Sequence, residues 1–295
     1  MFNVFDMRHL SLYILFVCFA TACSKKETAD SHVFEQTPVE HSVKPGEVDE
    51  ASGMADSKTN PGSVWVQEDG GNPTQLSLMS YTGELKKRVA LKGIRNRDWE
   101  ELALAKGPDP SLDYIYLADI GNNNLSMQHF VIYRFPEPKS TDDEVTKIEK
   151  IVFTYPDKTH DAEAMIVDNV SKDIFIFSKE DSSSAVYRIP YPQSSTSPNK
   201  AELIGRLPYG NVVGAAVSPG NNEVLIKTYS NIYYWKLATT SVINEVMSSR
   251  PVNVSYVKEP QGEAIAFRHD NSGFFTISER PPFIKEVKLY LYKRR

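Results

Sequence analysis

One short phrase occurs five times in this chain, and few folds can use a repeat of that kind. It reads Glu50-Ala-Ser52-Gly-Met54-Ala, Asp98-Trp-Glu100-Glu-Leu102-Ala, Asp161-Ala-Glu163-Ala-Met165-Ile, Val212-Val-Gly214-Ala-Ala216-Val and Gln261-Gly-Glu263-Ala-Ile265-Ala. The third position falls at residues 52, 100, 163, 214 and 263, at intervals of 48, 63, 51 and 49. After each phrase comes a turn-rich segment and then a β-rich run: Val64–Val66, Tyr114–Leu117, Ile174–Phe177, Val224–Ile226 or Phe274–Ile277. A further run follows, and in the first four repeats a last one precedes the next phrase, as at Lys150–Tyr155 and Val252–Val257. Four short strands per repeat of roughly fifty residues is the layout of a β-propeller blade. Helical spacing is not sustained beyond the first 23 residues, so the spacing predicts an all-β, five-bladed β-propeller.

The fifth repeat has three runs before the last residue, Arg295. An open blade would offer an unpaired strand edge to other chains. A strand from just before the first phrase, around Val39–Val48, would fill the gap and pair the N- and C-terminal segments in one blade. A six-bladed ring is the alternative if the 63-residue interval hides a degenerate blade, though the surplus is short for one.

The first 22 residues read as an address. Arg8 is the one Lys or Arg before an uncharged run, Leu10–Ala22, which has the length of a signal-peptide core and is short for a membrane span. The run ends Ala20-Thr21-Ala22-Cys23. Small residues directly before a cysteine resemble a bacterial lipobox, which implies cleavage before Cys23 and attachment of lipid, palmitate included, to its sulfur. An ordinary secretory signal is the other reading. Both export the protein. Ser24 follows the cysteine where an aspartate would favour inner-membrane retention, so an outer-membrane lipoprotein is expected. Residues 23–47 are polar and read as a tether with the closing strand inside it, and 48–295 as the propeller domain.

Charge and cysteine content narrow the functions. The net charge of −5 carries no basic excess for a nucleic-acid partner. Both cysteines, Cys18 and Cys23, lie in the first 23 residues, so the remainder has no disulfide and no Cys-based metal cluster. A monomer held at a membrane by its N-terminal lipid is expected.

In a propeller the first strand of each blade lines the central channel. The third phrase position would therefore bring Ser52, Glu100, Glu163, Gly214 and Glu263 to one axis. Three carboxylates on a narrow axis repel one another, so either some are protonated or a cation sits among them. Oxygen donors without His or Cys favour a hard cation, Ca²⁺ above Mg²⁺. The alternative is that each glutamate accepts hydrogen bonds from neighbouring backbone amides.

The phrases, their spacing and the order Ser, Glu, Glu, small, Glu resemble the five-bladed calcium-binding propellers of the apyrase type, the calcium-activated nucleotidases. They also resemble the exported bacterial propellers of the SdiA-regulated type. The first resemblance implies an axial Ca²⁺ with Ser52, Glu100, Glu163 and Glu263 at ligand positions. Gly214 departs from it, because that family has serine there. The tryptophan- and arginine-rich loops of apyrase-type enzymes are not found, so the resemblance speaks to fold and metal more than to activity.

The loops after each second strand should crowd one mouth of the channel. There Lys179, Lys227 and Arg280 are candidates to bind phosphate or carboxylate, and Asp69 and Asp119 to position water. Solvated turn charges are the plainer reading. His160-Asp161 invites a dyad but has no nucleophile beside it, and Asp119–Asn124 lacks EF-hand spacing. Three functions remain open: a binding module that takes a small molecule or protein on the loop face, a Ca²⁺-dependent hydrolase of phosphate esters or phosphoanhydrides, and a scaffold in a surface assembly.

Overall fold

The computed structural model describes residues 33–238 and 241–295. Strand β1 (Val39–Val43) precedes the first blade, which is β2 (Ala51–Asp56), β3 (Ser63–Glu68), β4 (Gln75–Ser80) and β5 (Leu85–Leu91). The second blade is β6 (Trp99–Lys106), β7 (Asp113–Asp119), β8 (Phe130–Pro136) and, after the two-residue β9 (Glu144–Val145), β10 (Glu149–Thr154). The third is β11 (Ala162–Val167), β12 (Ile174–Ser178), β13 (Ala185–Ile189) and, after β14 (Asn199–Lys200), β15 (Glu202–Arg206). The fourth is β16 (Val212–Val217), β17 (Glu223–Thr228), β18 (Ile232–Lys236) and, after helix α1 (Val242–Ser248), β19 (Val252–Val254). The last repeat supplies β20 (Gly262–Phe267), β21 (Gly273–Ser278) and β22 (Val287–Lys293).

Five separate sheets result, and the last has the order β1-β22-β21-β20. The N-terminal strand thus completes the fifth blade, antiparallel to β22 with Val39 opposite Leu291 and Val43 opposite Val287. Phe34 extends this closure: it bridges to Arg294 and sits edge-on to Phe274 and Tyr234. Of the tether expected over 23–47, the part from Phe34 onward is therefore built into the folded propeller, while residues 23–32 and the address before them lie outside the described residues.

The long second interval holds no sixth blade. Its surplus leaves the second blade and returns as β9, which pairs parallel to β5 of the first blade. Strand β14 does the same to β10. These additions cover outer edges that would otherwise be unpaired. One correction concerns helix: α1 buries Val242, Ile243 and Val246 against the fourth blade. Two turns are too short to leave a periodic trace in the sequence.

The core is divided among the blade interfaces. Five hydrophobic clusters each join the facing surfaces of two neighbouring blades, and the cluster of Phe34, Tyr234, Phe267, Phe274 and Tyr292 joins the fourth to the fifth. Each inner strand contacts the inner strands on either side, so β2, β6, β11, β16 and β20 close a ring around the channel.

Candidate functional site: an acidic mouth of the channel

Every inner strand breaks register once, at the phrase. The breaks lie between Ala51 and Gly53, Trp99 and Glu101, Ala162 and Ala164, Val212 and Gly214, and Gly262 and Ala264. The residue left out of the pairing is the bulged one, and a bulge re-aims its side chain. In three blades it is Glu100, Glu163 or Glu263, and their carboxylate oxygens lie within 4.8 Å of one another. In the first blade it is Ser52, whose hydroxyl donates to Oε1 of Glu279 at 3.2 Å.

The fourth blade requires a correction. Its bulged residue is Val213, not Gly214. The equivalent positions are then 52, 100, 163, 213 and 263, and the last two intervals become 50 residues each. The phrase of that blade begins at Asn211, so its first position is polar in every blade: Glu50, Asp98, Asp161, Asn211 and Gln261. Gly214 has another reason to be small, since a Cβ there would lie 2.3 Å from the Glu263 carbonyl oxygen. The mouth is thus oxygen-rich on four sides and closed by an isopropyl group on the fifth.

The three glutamates are nearly buried but not equally partnered. Lys179 donates to Oε1 of Glu163, while Oε2 of that carboxylate is buried and has no partner among the described residues. Oε1 of Glu263 accepts from the Tyr229 hydroxyl at 2.8 Å, and the Lys179 ammonium lies 5.4 Å from the Tyr229 ring centroid. Burial, followed by the charge of Glu163, pushes the Glu100 carboxyl well above the ordinary range. Burial and then the charge of Glu263 do the same to Glu163, and burial raises Glu263 itself. Burial raises Glu279 to about 8, with the Glu263 charge adding to it. For Lys179, burial alone would lower the pKa, but the Glu163 carboxylate beside it raises it on balance. An O···O separation of 4.8 Å suits oxygens that share one Ca²⁺ at 2.3–2.6 Å, and a cation would relieve all these shifts together.

Several functional-looking residues settle differently from expectation. Asp69 and Lys179 do reach the acidic mouth. Asp119 is tied to Arg97 at 2.9 Å and to the Tyr133 hydroxyl, and burial raises its carboxyl to about 6. Lys227 is not an open cation: it is 1% exposed and paired with Glu259 at 2.7 Å over the Tyr256 ring. Arg280 is held by Asp49 at 2.6 Å and by the carbonyls of Val43 and Lys285, where it fastens the closing strand. His160 bonds Glu180 at 2.9 Å and Tyr187 at 2.5 Å, whereas Asp161 accepts from the Asn122 amide, so no His160–Asp161 dyad forms. A cleft lined by Asn123, Leu125, Lys158, Thr159 and His160 opens beside Lys179 on this face.

Two carboxylates were missed. Asp98 has an oxygen within 4.8 Å of oxygens on Asp69 and Glu100; its polar phrase position was the available signal. Glu101 is wholly buried below the ring, where Oε2 accepts from the Ala215 amide across the channel at 2.9 Å and Oε1 from Leu102 at 3.0 Å. Burial raises its carboxyl well above the ordinary range. Along the same inner strands opens a cavity of mixed character, lined by Met54, Leu104, Ile166 and Ile265 together with Asp56, Lys58, Asn169 and His269.

No family model matches the chain, neither the apyrase type nor the SdiA-regulated type, and no curated protein matches it. Among solved structures it is similar to a luciferin-regenerating enzyme, with a TM-score of 0.50 and 8% identity over 87% of this chain and 95% of that one. It is also similar to an auxiliary nutrient binding protein from Bacteroides thetaiotaomicron (0.48, 9%, 87% of this chain and 77% of that one). A glutaminyl cyclase from Myxococcus xanthus gives 0.45 and 9% over 87% and 95%. The first of these, at 8% identity, speaks to fold alone, and the five sheets are those of a β-propeller.

Proposed function

We propose that this protein is an exported, lipid-anchored β-propeller binding module with an axial Ca²⁺ at its acidic mouth. One observation carries the metal: Glu100, Glu163 and Glu263, buried and drawn from three blades, meet within 4.8 Å, and Oε2 of Glu163 has no partner. An unpaired buried carboxylate oxygen is costly, and a cation removes the cost. Ser52 stands beside the group through Glu279 as the fourth expected ligand. Glu100, Glu163 and Glu263 would hold the cation near Lys179, which also lines the cleft on this face. That arrangement favours an anionic ligand, a carboxylate or phosphate, bridging the ion and the Lys179 ammonium.

The anchor rests on sequence: the apolar run ending Ala22-Cys23. Changing Cys23 to Ala should release the protein from membranes and abolish fatty-acid labelling. The module is tested by calorimetric titration with Ca²⁺, then with small carboxylates and phosphate esters, each with and without chelator. Ca²⁺-dependent binding of an intact anion supports the module. Ca²⁺-dependent disappearance of the ester supports the second reading, a hydrolase. No binding under either condition removes the loop face as a ligand site.

A further inference from the structure

The acidic mouth holds more carboxylate than one ion needs. Asp69, Asp98 and Glu100 form a second group whose oxygens lie within 4.8 Å of one another, and Glu100 belongs to both groups. We propose that Asp69, Asp98 and Glu100 form a second seat for a divalent cation, so that the channel mouth is a two-ion centre with Glu100 bridging. The inference rests on the axial-ion reading above.

Glu100 itself is the independent observation. It is 5% exposed, yet among the described residues no hydrogen-bond donor or cation reaches its carboxylate. Glu163 has Lys179 and Glu263 has Tyr229, so the one member without a partner is the one that both groups share. The backbone also keeps the seat clear. A Cβ on Gly121 would lie 2.1 Å from Oε1 of Glu100 and 2.5 Å from Cγ of Asp98. The bare α-carbon leaves both carboxylates room in their present positions, and a side chain there would push one of them aside.

Charge points the same way. Asp69, Asp98, Glu100, Glu163, Glu263 and Glu279 surround a single ammonium, Lys179; Arg97 stands 3.8 Å from Asp98 and is committed to Asp119 at 2.9 Å. With one divalent ion, the Asp69–Asp98 side keeps only the Arg97 guanidinium, 3.8 Å from Asp98 and shared with Asp119, as a close counter-charge. A second ion there, with oxygen donors only, would again be a hard one. Two ions bridged by a carboxylate suit one ligand class above others: an oxyanion that spans both, such as a phosphate group.

Titration of the purified, metal-stripped chain tests this, with Ca²⁺ followed by calorimetry and Mn²⁺ by electron paramagnetic resonance. The wild type should take two ions per chain, and its Mn²⁺ spectrum should be broadened by coupling between them. Asp98→Asn should take one ion, at least tenfold weaker binding having removed the other, with an uncoupled six-line spectrum. Asp69→Asn removes the other carboxylate of the second seat and should behave like Asp98→Asn, which keeps the test valid if either variant folds poorly. Glu163→Gln should lose the axial ion and retain the second. One ion in the wild type, unchanged in Asp98→Asn and Asp69→Asn but lost in Glu163→Gln, would overturn the second seat and leave the axial reading standing. No ion in the wild type would overturn both.

Discussion

The ammonium of Lys179 rests against one oxygen of the Glu163 carboxylate and leaves the other oxygen of the same group buried and unpartnered. Lys179 thus works as a tethered cation that neutralises part of the ring without completing it. A divalent ion arriving at the proposed axial site would compete with it for Glu163.

Replacing Lys179 with Met keeps the stem and removes that charge. Breaking a largely buried pair from one side costs about 3 kcal/mol, the low end of the usual range because the ammonium retains some solvent. The metal-free variant should melt lower than the wild type, and its Ca²⁺-induced rise in melting temperature should be larger. Equal Ca²⁺ shifts in the two proteins would show that Lys179 and the ion do not share Glu163.

The raised carboxyls fix the sign of a pH dependence. In the unfolded chain these groups ionise near 4.5, whereas in the folded chain Glu279 holds its proton to about 8. Between those values the folded state binds more protons, so stability falls as pH rises. Glu279 alone contributes about 4 kcal/mol across the window, with Glu100, Glu163 and Glu263 acting in the same direction. Melting in chelator should be higher at pH 5 than at pH 8, and saturating Ca²⁺ should reduce or reverse the slope. A metal-free melt that rises over this range would contradict the assignment.

The architecture was largely legible in the sequence, because a repeated phrase and period-2 runs survive a register error within any one copy. The number of blades and the closing strand followed from strand bookkeeping. The fourth phrase did not follow. In Val212-Val-Gly-Ala-Ala-Val217 no polar residue marks the bulge, and hydrophobic likeness slid the alignment by one residue. Only the pairing of Gly214 with Lys227 fixes it. Lys227 and Arg280 looked like ligand groups because a loop charge reads the same whether it faces solvent or a buried carboxylate. Their partners, Glu259 and Asp49, lie 32 and 231 residues away.

One aromatic ring adds to the closure made by the pairing of β1 with β22. Phe34 is 1% exposed between Phe274 and Tyr234, with the Arg294 guanidinium 5.0 Å from its centroid. Phe34→Ala should cost about 3–5 kcal/mol, and deleting residues 33–43 should abolish the cooperative melt by also baring the β22 edge. A melt insensitive to that deletion would mean that the ring closes another way.

Lys227 should matter to stability alone. Lys227→Met leaves Glu259 buried and unpaired and should cost about 3–5 kcal/mol, whereas adding Glu259→Leu should recover much of the loss. Below the melting transition, Ca²⁺ affinity measured by calorimetry should be unchanged in both variants. A tenfold loss of affinity would place Lys227 in the site.

The axial ion is the centre of this account, and Ca²⁺-dependent melting of the wild type beside Glu163→Gln tests it most directly. Ca²⁺ at a hundredfold excess over its dissociation constant should stabilise the wild type by roughly 2.7 kcal/mol, a rise of about 5–10 °C for a domain of this size. Glu163→Gln removes one of the repelling charges, so in chelator it should melt at or above the wild type, and its response to Ca²⁺ should be much smaller. A wild type that does not shift with Ca²⁺, holds no ion on elemental analysis and is simply destabilised by Glu163→Gln would contradict the account.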